Sequence, residues 1–358
     1  MEFALHLPLN NLSFGQVSVA LCREIHGMGL SPAIFPMGNV DISAQQISSE
    51  FGSWLNSCLG KALLTHKRGT PVIKLWHLSN SLESLSDKQI LFSFYELDNP
   101  TREEINIVKN NYRVVFSSSH ARNVFRDMGC SNVDFTPLGF DKFNFFRNDK
   151  TFFTDGRITF NLVGKLERRK HHLKVLRSWA QKYGNNPKYY LKCAIINPFL
   201  PGEEQSHAIN QALGGNRFFN IDFSGFIPTN VAYNDFLNSA DIVIGMSGGE
   251  GWGLPEFQSV ALGKHAVVLN GPGYKDWATE QNAILVQPCG KVEAYDGKFF
   301  SKGQPFNQGN IFDFEESDFI AGCEKAIERH YQNRVNLEGL KLQSLSYRAT
   351  VEKLLSFV

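Results

Sequence analysis

The sequence predicts an α/β protein made of two similar halves, each a parallel sheet covered by helices, that face each other across a cleft. Three observations lead to this fold class. Short apolar runs alternate with amphipathic helical stretches along nearly the whole chain, as in parallel strand–helix–strand units. The chain has 358 residues, and two domains of about 150–200 residues are expected at that length. The alternation also stops at a polar stretch near the middle and then restarts.

The first half is predicted to carry five strands with helices between them. The strands are "FALHLPL", "VIKLWHL", "ILFSFYEL", "YRVVFSSS" and the start of "SNVDFTPLGFDKFNFF". A helix in "SFGQVSVALCREIHGMG" ends at Gly27 or Gly29, and another in "HARNVFRDMG" ends at Gly129, because glycine readily adopts the left-handed turn that closes a helix. We assign residues 1–150 to this domain.

The polar stretch "RNDKTFFTDG" is the predicted linker, and the second domain is assigned to residues 155–338. Its predicted strands are "RITFNLVGKL", "YYLKCAII", "FFNIDFSGFI", "DIVIGMS", "HAVVLN" and "AILVQP". Its predicted helices are "HHLKVLRSWAQKYG", "AYNDFLNSA", "LPEFQSVALG" and "FEESDFIAGCEKAIERHYQN". A last amphipathic helix, at about residues 340–358, closes the chain and is assigned to the first domain.

The composition excludes several classes of protein. A net charge of +1 gives no electrostatic argument for a nucleic-acid surface. No apolar run approaches the ~20 residues that cross a bilayer, and the first residues lack the features of a signal peptide. The six cysteines include no C-x-x-C pair, which argues against a zinc site and a disulfide framework. A cytoplasmic protein is therefore expected, while peripheral membrane contact and the oligomeric state stay open.

The stretch "MSGGEGWGLPEFQSVALG" concentrates chemistry between a predicted strand and a predicted helix. Pro255 suits the first turn of that helix, and Gly263 ends it. Backbone N–H groups at a helix N-terminus bind anions, and glycines let a ligand approach closely. A phosphate is the expected ligand, with Glu250 placed to contact a neutral part such as sugar hydroxyls. The alternative is a crossover whose glycines serve only the turn.

A second strand-to-helix turn, "GKLERRK", carries Lys165 and Lys170 five residues apart. Two cations at such a turn can stabilise the negative charge of a diphosphate. Taken alone, this motif is equally compatible with a solvated, basic helix start. Together the two turns predict a site for a sugar diphosphate, because each follows a strand and opens a helix.

These elements resemble the retaining GT-B glycosyltransferases of the group 1, or family 4, type. The nucleotide-sugar domain of that family has a G-[RK]-x4-K element, a strand ending near a glycine, and the motif S-x-x-E-G-[FW]-G-L-P-x-x-E-A. The counterparts here, in the same order, are "GKLERRK", "FSGFIPTN", "SADIVIGMSGGEGWGLPEFQSVALGKHAVV" and "GPGYKDWATEQNAILV". In the first half, "SSSHARNVFRDMG" and "FTPLGFDKFNF" show a weaker likeness. The resemblance implies two Rossmann-like domains and a last helix that crosses back onto the N-terminal domain.

The resemblance also implies roles for particular residues. Lys165 and Lys170 would bind the donor diphosphate and stabilise the leaving group, and Glu250 would contact the donor sugar. The implied donor-binding set is Gly164, Phe226, Ile227, Gly249, Gly251, Trp252, Gly253, Leu254 and Gln258, with Phe226 and Ile227 near the nucleobase.

Gln258 departs from the family pattern, which has a second acid at this position to hold the ribose hydroxyls. An amide still donates and accepts hydrogen bonds but carries no charge. Glu256 is an acid two residues away, and a helix turns these two positions well apart. Gln258 is therefore kept in the donor-binding set as a replacement for the acid at the ribose; the alternative is that the donor or the activity has changed.

The acceptor side is assigned to the first half. Many members of the family place a histidine there near the reacting sugar, but here Tyr95 or Glu96 stands in the equivalent region. His77 is the nearest upstream histidine, and Gly15 lies in the loop after the first strand. For His77 the alternative is a hydrogen-bonded residue at a strand end. For Glu96 it is a core-edge carboxylate paired with an arginine such as Arg102.

The sequence thus predicts a cytoplasmic glycosyltransferase of the hexosyltransferase class, with a nucleotide-diphosphate sugar as co-substrate and no cofactor. The acceptor, a glycan, a lipid-linked molecule or a small molecule, is not identified. No metal is expected, because the two lysines and a helix dipole make one unnecessary; retention of configuration follows from the family alone. The alternatives are a sugar phosphorylase or epimerase, and a non-catalytic protein that binds a nucleotide or a partner. An oxidoreductase is excluded, since no G-x-G-x-x-G follows the first strand.

Overall fold

A computed structural model describes residues 2–358 of the chain. The described residues form two compact units. The first contains the described residues up to Asn144 together with Phe300–Gly309 and Gln343–Val358, and the second contains Phe145–Phe299 and Asn310–Leu342. Within residues 2–358, none of the helices combines the length and the apolar character that a membrane span requires.

The described part of the first unit is built on a parallel sheet of six strands. They are β1 (Ala4–Leu7), β2 (Ala33–Pro36), β3 (Val72–Leu75), β4 (Gln89–Ser93), β5 (Arg113–Phe116) and β6 (Val133–Phe135). Their order across the sheet is β2-β1-β3-β4-β5-β6. The connecting helices are α1 (Ser13–Gly27), α2 (Ser49–Thr65), α3 (Arg102–Asn110) and α4 (Ser119–Asp127). Both β3 and β4 are buried along their length, as is typical of a parallel sheet covered on both faces.

The sequence prediction did not include β2 and α2, and their composition explains why. β2 spans four residues and ends at Pro36, so it offers no recognisable alternation. α2 contains Gly52 and Gly60, and glycine disfavours a helix interior by about 1 kcal/mol relative to alanine. The helix is nevertheless capped at its start, where the Ser48 hydroxyl accepts a hydrogen bond from the Phe51 backbone N–H at 3.2 Å.

The second unit repeats the plan in its described residues. Its parallel strands are β7 (Ile158–Val163), β8 (Tyr189–Ala194), β9 (Ile221–Phe223), β10 (Ile242–Gly245), β11 (His265–Leu269) and β12 (Ile284–Val286), ordered β12-β11-β10-β7-β8-β9. An antiparallel pair, β13 (Gly290–Glu293) and β14 (Asn310–Asp313), stands beside it. The helices are α5 (His172–Tyr183), α6 (Gly202–Ala212), α7 (Asn230–Asn238), α8 (Leu254–Ala261), α9 (Glu316–Gln332) and α10 (Leu337–Leu340). The predicted α/β fold with two parallel sheets is confirmed.

Aromatic side chains fill the core of the second unit. Phe160 from β7 packs edge-on against Trp179 of α5, with ring centroids 5.9 Å apart. Phe314 and Phe319, at the start of α9, belong to the same buried cluster. Each such ring removes a large apolar area from water, so the high phenylalanine content of the sequence serves packing here.

Each sheet reverses its strand order at one point. In the first unit the chain goes from β1 to β2 on one side and then to β3 on the other, so the reversal lies between β1 and β3. In the second unit it lies between β7 and β10. Open α/β sheets bind ligands beyond the carboxyl ends of their strands at such switch points, so each switch point is a candidate ligand site.

The residues predicted as a linker pack on the second unit. The backbone N–H of Asn148 donates to the Asn238 side chain at 3.2 Å, and the Asn148 side-chain amide donates to the Asp235 carboxylate at 2.8 Å. Both acceptors lie on α7. The polar composition of this segment therefore reflects hydrogen bonds to α7.

The chain ends in α11 (Tyr347–Leu355), which packs against α1 within the first unit. Gly139 makes the approach possible, because a Cβ at that position would lie 2.0 Å from the backbone nitrogen of Tyr347. The Phe140 N–H donates to the Leu345 carbonyl at 2.8 Å, and the Thr350 hydroxyl donates to the Pro137 carbonyl at 2.8 Å. The predicted return of the last helix to the N-terminal domain is thereby confirmed.

A ten-residue segment between β13 and β14, Phe300–Gly309, also belongs to the first unit. The Thr101 hydroxyl donates to the Pro305 carbonyl at 2.6 Å, and the Asn307 N–H donates to the Glu104 carboxylate at 2.9 Å. The same carboxylate closes a capping box with Thr101 at the start of α3. Two hydrogen bonds and a helix cap therefore hold this segment on α3.

Candidate active site

The two motifs singled out in the sequence meet at the switch point of the second unit. Gly164–Lys170 follows the carboxyl end of β7, and Met246–Gly253 follows the carboxyl end of the neighbouring strand β10. α8 starts directly after this second segment, with Pro255 in its first turn. The free N–H groups of that turn therefore lie at the edge of the sheet where anionic ligands bind.

Two glycines of the loop are required by contacts inside the protein. A Cβ at Gly248 would lie 2.1 Å from the carbonyl oxygen of Phe312, whose own N–H donates to the Gly248 carbonyl at 2.9 Å. Gly253 has a φ of +79°, and a Cβ there would lie 2.3 Å from the Tyr274 ring. At these positions the glycines serve the close packing of the loop on β14 and on Tyr274.

Glu250 lies at the centre of a buried cluster of charges. Its Oε1 accepts a hydrogen bond from the Lys170 ammonium and lies 3.2 Å from Nη1 of Arg169. The same Arg169 nitrogen donates to the Gly249 carbonyl at 2.6 Å. The turn after β7 and the loop after β10 are therefore joined by charge-assisted hydrogen bonds, which are the strong ones in proteins.

Lys165 is connected to this cluster through Glu167. The Glu167 carboxylate lies 3.1 Å from the Lys165 ammonium and 2.8 Å from Nε of Arg169. The side chain of Lys165 is 39% exposed, whereas that of Lys170 is 8% exposed. The two lysines predicted to share one role thus differ: Lys165 reaches solvent, and Lys170 is buried against Glu250.

The charges of the cluster control the pKa of Glu250. Burial by itself raises the pKa of a carboxyl group, but here Lys170 and Arg169 outweigh burial and lower the pKa of Glu250 to about 2. Glu167 behaves in the same way, because Arg169 and Lys165 outweigh its burial and lower its pKa. Both carboxylates are therefore ionised at neutral pH and hold the cations in place.

Glu256, in the first turn of α8, lies beside the cluster in the opposite electrostatic situation. Its side chain is buried, and among the described residues its Oε2 has no hydrogen-bond partner. Burial raises the pKa of Glu256 to about 7. Gly245 makes room for it, because a Cβ there would lie 2.6 Å from Cγ of Glu256. Unlike Glu250 and Glu167, this carboxyl group therefore titrates near neutral pH.

Known structures share this arrangement of sheets, although no protein-family model and no curated protein matches the chain. Sucrose-phosphate synthase from Thermosynechococcus elongatus superposes with a TM-score of 0.68 at 14% identity, over 99% of this chain and 98% of that one. Anabaena HepE in complex with UDP and glucose gives 0.64 at 12% identity, over 99% and 98%. The catalytic domain of starch synthase IV from Arabidopsis thaliana, bound to ADP and acarbose, gives 0.65 at 9% identity, over 99% and 98%. The chain has the GT-B fold.

The residues implied for donor binding differ in accessibility within this GT-B chain. Phe226 is 55% exposed, and Ile227 and Leu254 are half-buried. The other loop and helix members, namely Gly249, Gly251, Trp252, Gly253 and Gln258, are buried. The Trp252 ring packs on Phe257, with centroids 5.3 Å apart, so its side chain serves the core. Gly164 has a φ of +124° and lies against the Lys170 side chain.

The residues implied for the acceptor side lie in the first unit of the GT-B fold and differ in burial and in contacts. Gly15 is needed for packing, because a Cβ there would lie 1.9 Å from the Asn10 carbonyl oxygen. Tyr95 is buried, and its hydroxyl donates to the Glu104 carboxylate at 3.3 Å. Glu96 is half-buried and His77 is exposed. Of these residues, His77 presents its side chain most openly at the carboxyl edge of the sheet.

Sequence reasoning did not single out Arg169 and Glu167, although both stand inside the quoted motif "GKLERRK". The alternation of acid and base in that motif was the available signal. Arg169 pairs with Glu250, which follows a different strand far along the chain, so only the fold shows that the three side chains form one cluster.

Proposed function

We propose that the protein is a glycosyltransferase that moves a sugar from a nucleoside-diphosphate sugar to an acceptor hydroxyl, with retention of configuration and without a metal ion. The observation that carries this proposal is the buried cluster of Glu250, Lys170 and Arg169 at the switch point of the second unit. Two proteins with this fold support it: the known structures of HepE with UDP and glucose and of starch synthase IV with ADP and acarbose contain nucleotides together with sugars.

The cluster supports a division of work among its side chains. Lys165, the exposed cation, is placed to bind the diphosphate first. Lys170 and the N–H groups at the start of α8 then stabilise the negative charge that develops as the sugar–phosphate bond breaks. Glu250, held by Lys170 and Arg169, accepts a hydrogen bond from a hydroxyl of the donor sugar. The departing phosphate accepts the proton of the acceptor hydroxyl.

The same charges support the proposed independence from metal. Lys165, Arg169 and Lys170 outnumber the carboxylates Glu167 and Glu250, so the cluster carries one net positive charge before the donor arrives. Fixed cations in a water-poor site neutralise developing charge without reorganisation.

The proposed cytoplasmic location is supported by the thiols, since the six cysteines are all unpaired.

A donor panel tests the proposal directly. Thermal unfolding is measured with UDP-, GDP-, ADP- and CMP-sugars, because a ligand that prefers the folded state raises its stability. We expect a shift with one nucleotide class and its loss in Lys165→Ala. Lys182→Ala is the matched control, since Lys182 is a half-exposed lysine of the same unit paired with Glu324.

Product analysis then identifies the reaction. Transfer requires a glycosylated acceptor and free nucleoside diphosphate in equal amounts. Release of a sugar phosphate with orthophosphate present would identify a phosphorylase, and an altered nucleotide sugar without an acceptor would identify an epimerase. A protein that shifts with no nucleotide sugar contradicts the whole proposal.

A further inference from the structure

The switch point of the first unit is lined by aromatic rings. Phe14 lies in the first turn of α1, which follows β1, while Trp76 and His77 follow β3 and Phe94 follows β4. The ring centroid of Phe14 is 4.5 Å from that of His77, 4.9 Å from that of Phe94 and 6.0 Å from that of Trp76. We call these four residues the aromatic cluster. Its position corresponds to that of the charged cluster in the second unit.

The aromatic cluster differs from the buried core of the same unit. His77 is exposed, and Phe14, Trp76 and Phe94 are partly exposed. The stacked pair Phe116 and Phe125, by comparison, is fully buried. Large rings that converge at a switch point and keep contact with water are typical of ligand sites, which are lined mainly by apolar and aromatic groups with a few polar ones.

The charges around the aromatic cluster argue against an anionic ligand. Lys74, two residues before Trp76, is buried in β3. Its ammonium donates to the backbone carbonyls of Asn80, Ser81 and Glu83 at 3.2, 3.4 and 2.7 Å. This cation is therefore engaged by the loop that follows β3, and a phosphate at the aromatic cluster would not gain its charge.

A pyranose ring fits the chemistry of the aromatic cluster. The face of an aromatic ring carries negative potential, and the C–H groups on one face of a sugar carry partial positive charge. The hydroxyls of the sugar need polar partners at its edge, because an unpaired polar group in a site is unfavourable. His77 within the cluster and Glu96 shortly after Phe94 are polar residues at this edge of the sheet. An acyl chain would use the rings but not these polar groups.

We propose that the aromatic cluster binds a carbohydrate, whose pyranose ring packs against Phe14 and Trp76, and that this carbohydrate is the acceptor. The second half of this statement rests on the proposed function, since only a glycosyltransferase has an acceptor. The first half does not depend on it. Phe14, Trp76 and Phe94 are then residues that select the acceptor.

Saccharide titration of single variants tests the proposal. Methyl α-glucopyranoside, methyl β-galactopyranoside, maltose and cellobiose are titrated against the full chain and followed by saturation-transfer NMR. At least one should bind, and its dissociation constant should rise about tenfold in Phe14→Leu and in Trp76→Leu, given the strength of aromatic contacts. Trp76→Phe should restore most of the binding. Trp54→Leu is the matched control, a partly exposed tryptophan of α2 in the same unit, and should change binding less than twofold.

The outcomes separate this inference from the proposed function. Thermal unfolding verifies that each variant folds, and the nucleotide-induced shift should persist in all of them, because the donor residues lie in the second unit. Saccharide binding without any nucleotide shift would contradict the proposed function and leave the carbohydrate site standing. A nucleotide shift together with saccharide binding that is unchanged in both leucine variants would overturn the inference. It would also be overturned if no saccharide bound, or if sodium octanoate alone bound at the aromatic cluster.

Discussion

The switch points of the two sheets have the same topology and opposite chemistry. In the second unit, Gly164–Lys170 and the loop after β10 bring three cations and two carboxylates together. In the first unit, Phe14, Trp76, His77 and Phe94 bring four rings together. The fold fixes where a ligand binds, and the side chains at the strand ends fix what it is.

The two clusters also differ in what holds them. Lys170 and Glu250 are buried, so each depends on its partner for compensation, and loss of either leaves an uncompensated charge. The rings of the first unit keep part of their surface in water and depend on no single partner. Under the proposed function, the charged site is therefore arranged before the donor arrives.

Glu250→Gln, a change in the charged cluster of the second unit, should have the largest effect, and this effect concerns kcat. The amide keeps the shape of the side chain but removes the charge that orients Lys170 and Arg169. We expect kcat for transfer to fall about 100- to 1000-fold, as for other preorganised electrostatic groups, with the donor identified by the panel. Glu324→Gln, at a half-exposed ion pair in the same unit, should leave kcat unchanged. An unchanged kcat in Glu250→Gln would contradict the role proposed for the Glu250 charge in transfer.

Much of the charged site could be predicted from the sequence, because its residues stand in short motifs next to strands and helix starts. Lys165, Lys170 and Glu250 were found in this way. The pairing of Glu250 with Lys170 could not be predicted, since it depends on the neighbouring positions of β7 and β10 in the sheet. The buried state of Glu256 depends equally on the close approach that Gly245 permits.

Of the aromatic cluster, sequence reasoning identified only His77 as a candidate site residue, and the reason differs from that for the charged site. The members of the aromatic cluster come from three separate strand ends, and the sequence alone does not distinguish a partly exposed phenylalanine from a buried one. The packing of Phe300–Gly309 on α3 could not be predicted either, because it depends on the tertiary hydrogen bond between Asn307 and Glu104. The parallel sheets themselves were predictable, since their strands form continuous apolar runs.

Glu256→Gln gives the next largest effect and concerns stability. The folded state raises the pKa of Glu256 to about 7 from its ordinary 4.5, so it binds this proton more tightly than the unfolded chain does. The contribution of this bound proton to the free energy of unfolding is fully present below about pH 4.5 and is lost as the pH rises through about 7. Glutamine cannot ionise, so at about pH 8 the variant should be more stable than the native chain by about 3 kcal/mol. The difference should vanish near pH 4 in urea unfolding followed by tryptophan fluorescence.

The control for this measurement is Glu324→Gln, which should show the same difference from the native chain at both pH values. A gain in stability at low pH that disappears at high pH would contradict the proposed sign. Such a result would mean that Glu256 is ionised and paired, like Glu250.

The salt concentration should change the ligand affinities of the two sites to different extents, and this effect should be smaller than the preceding ones. Raising NaCl from about 0.05 to about 0.5 M screens charges strongly, since the Debye length falls with ionic strength. The affinity for the nucleotide should then fall by about tenfold, because Lys165 is solvent-exposed and accessible to screening. Saccharide binding at the aromatic cluster should change less than twofold. Titration of both ligands at the two salt concentrations checks this, and an equal loss for both would show that charge also controls the first site.

Gln258→Glu should have the smallest effect and restores the second acid of the family motif. Gln258 lies in α8 and is buried, so a carboxylate there is partly desolvated, which opposes its charge. It would also add a negative charge to a helix that already carries Glu256, while the cations of the cluster act in the opposite direction. These contributions nearly cancel, and a ribose hydroxyl can donate to an amide oxygen as well as to a carboxylate.

We expect the nucleotide affinity to rise by about two- to threefold at neutral pH, since a charged acceptor strengthens a hydrogen bond modestly. Gln258→Leu, which removes both hydrogen-bonding groups, should lower it by about tenfold. Equal affinities in all three forms would place the ribose away from α8.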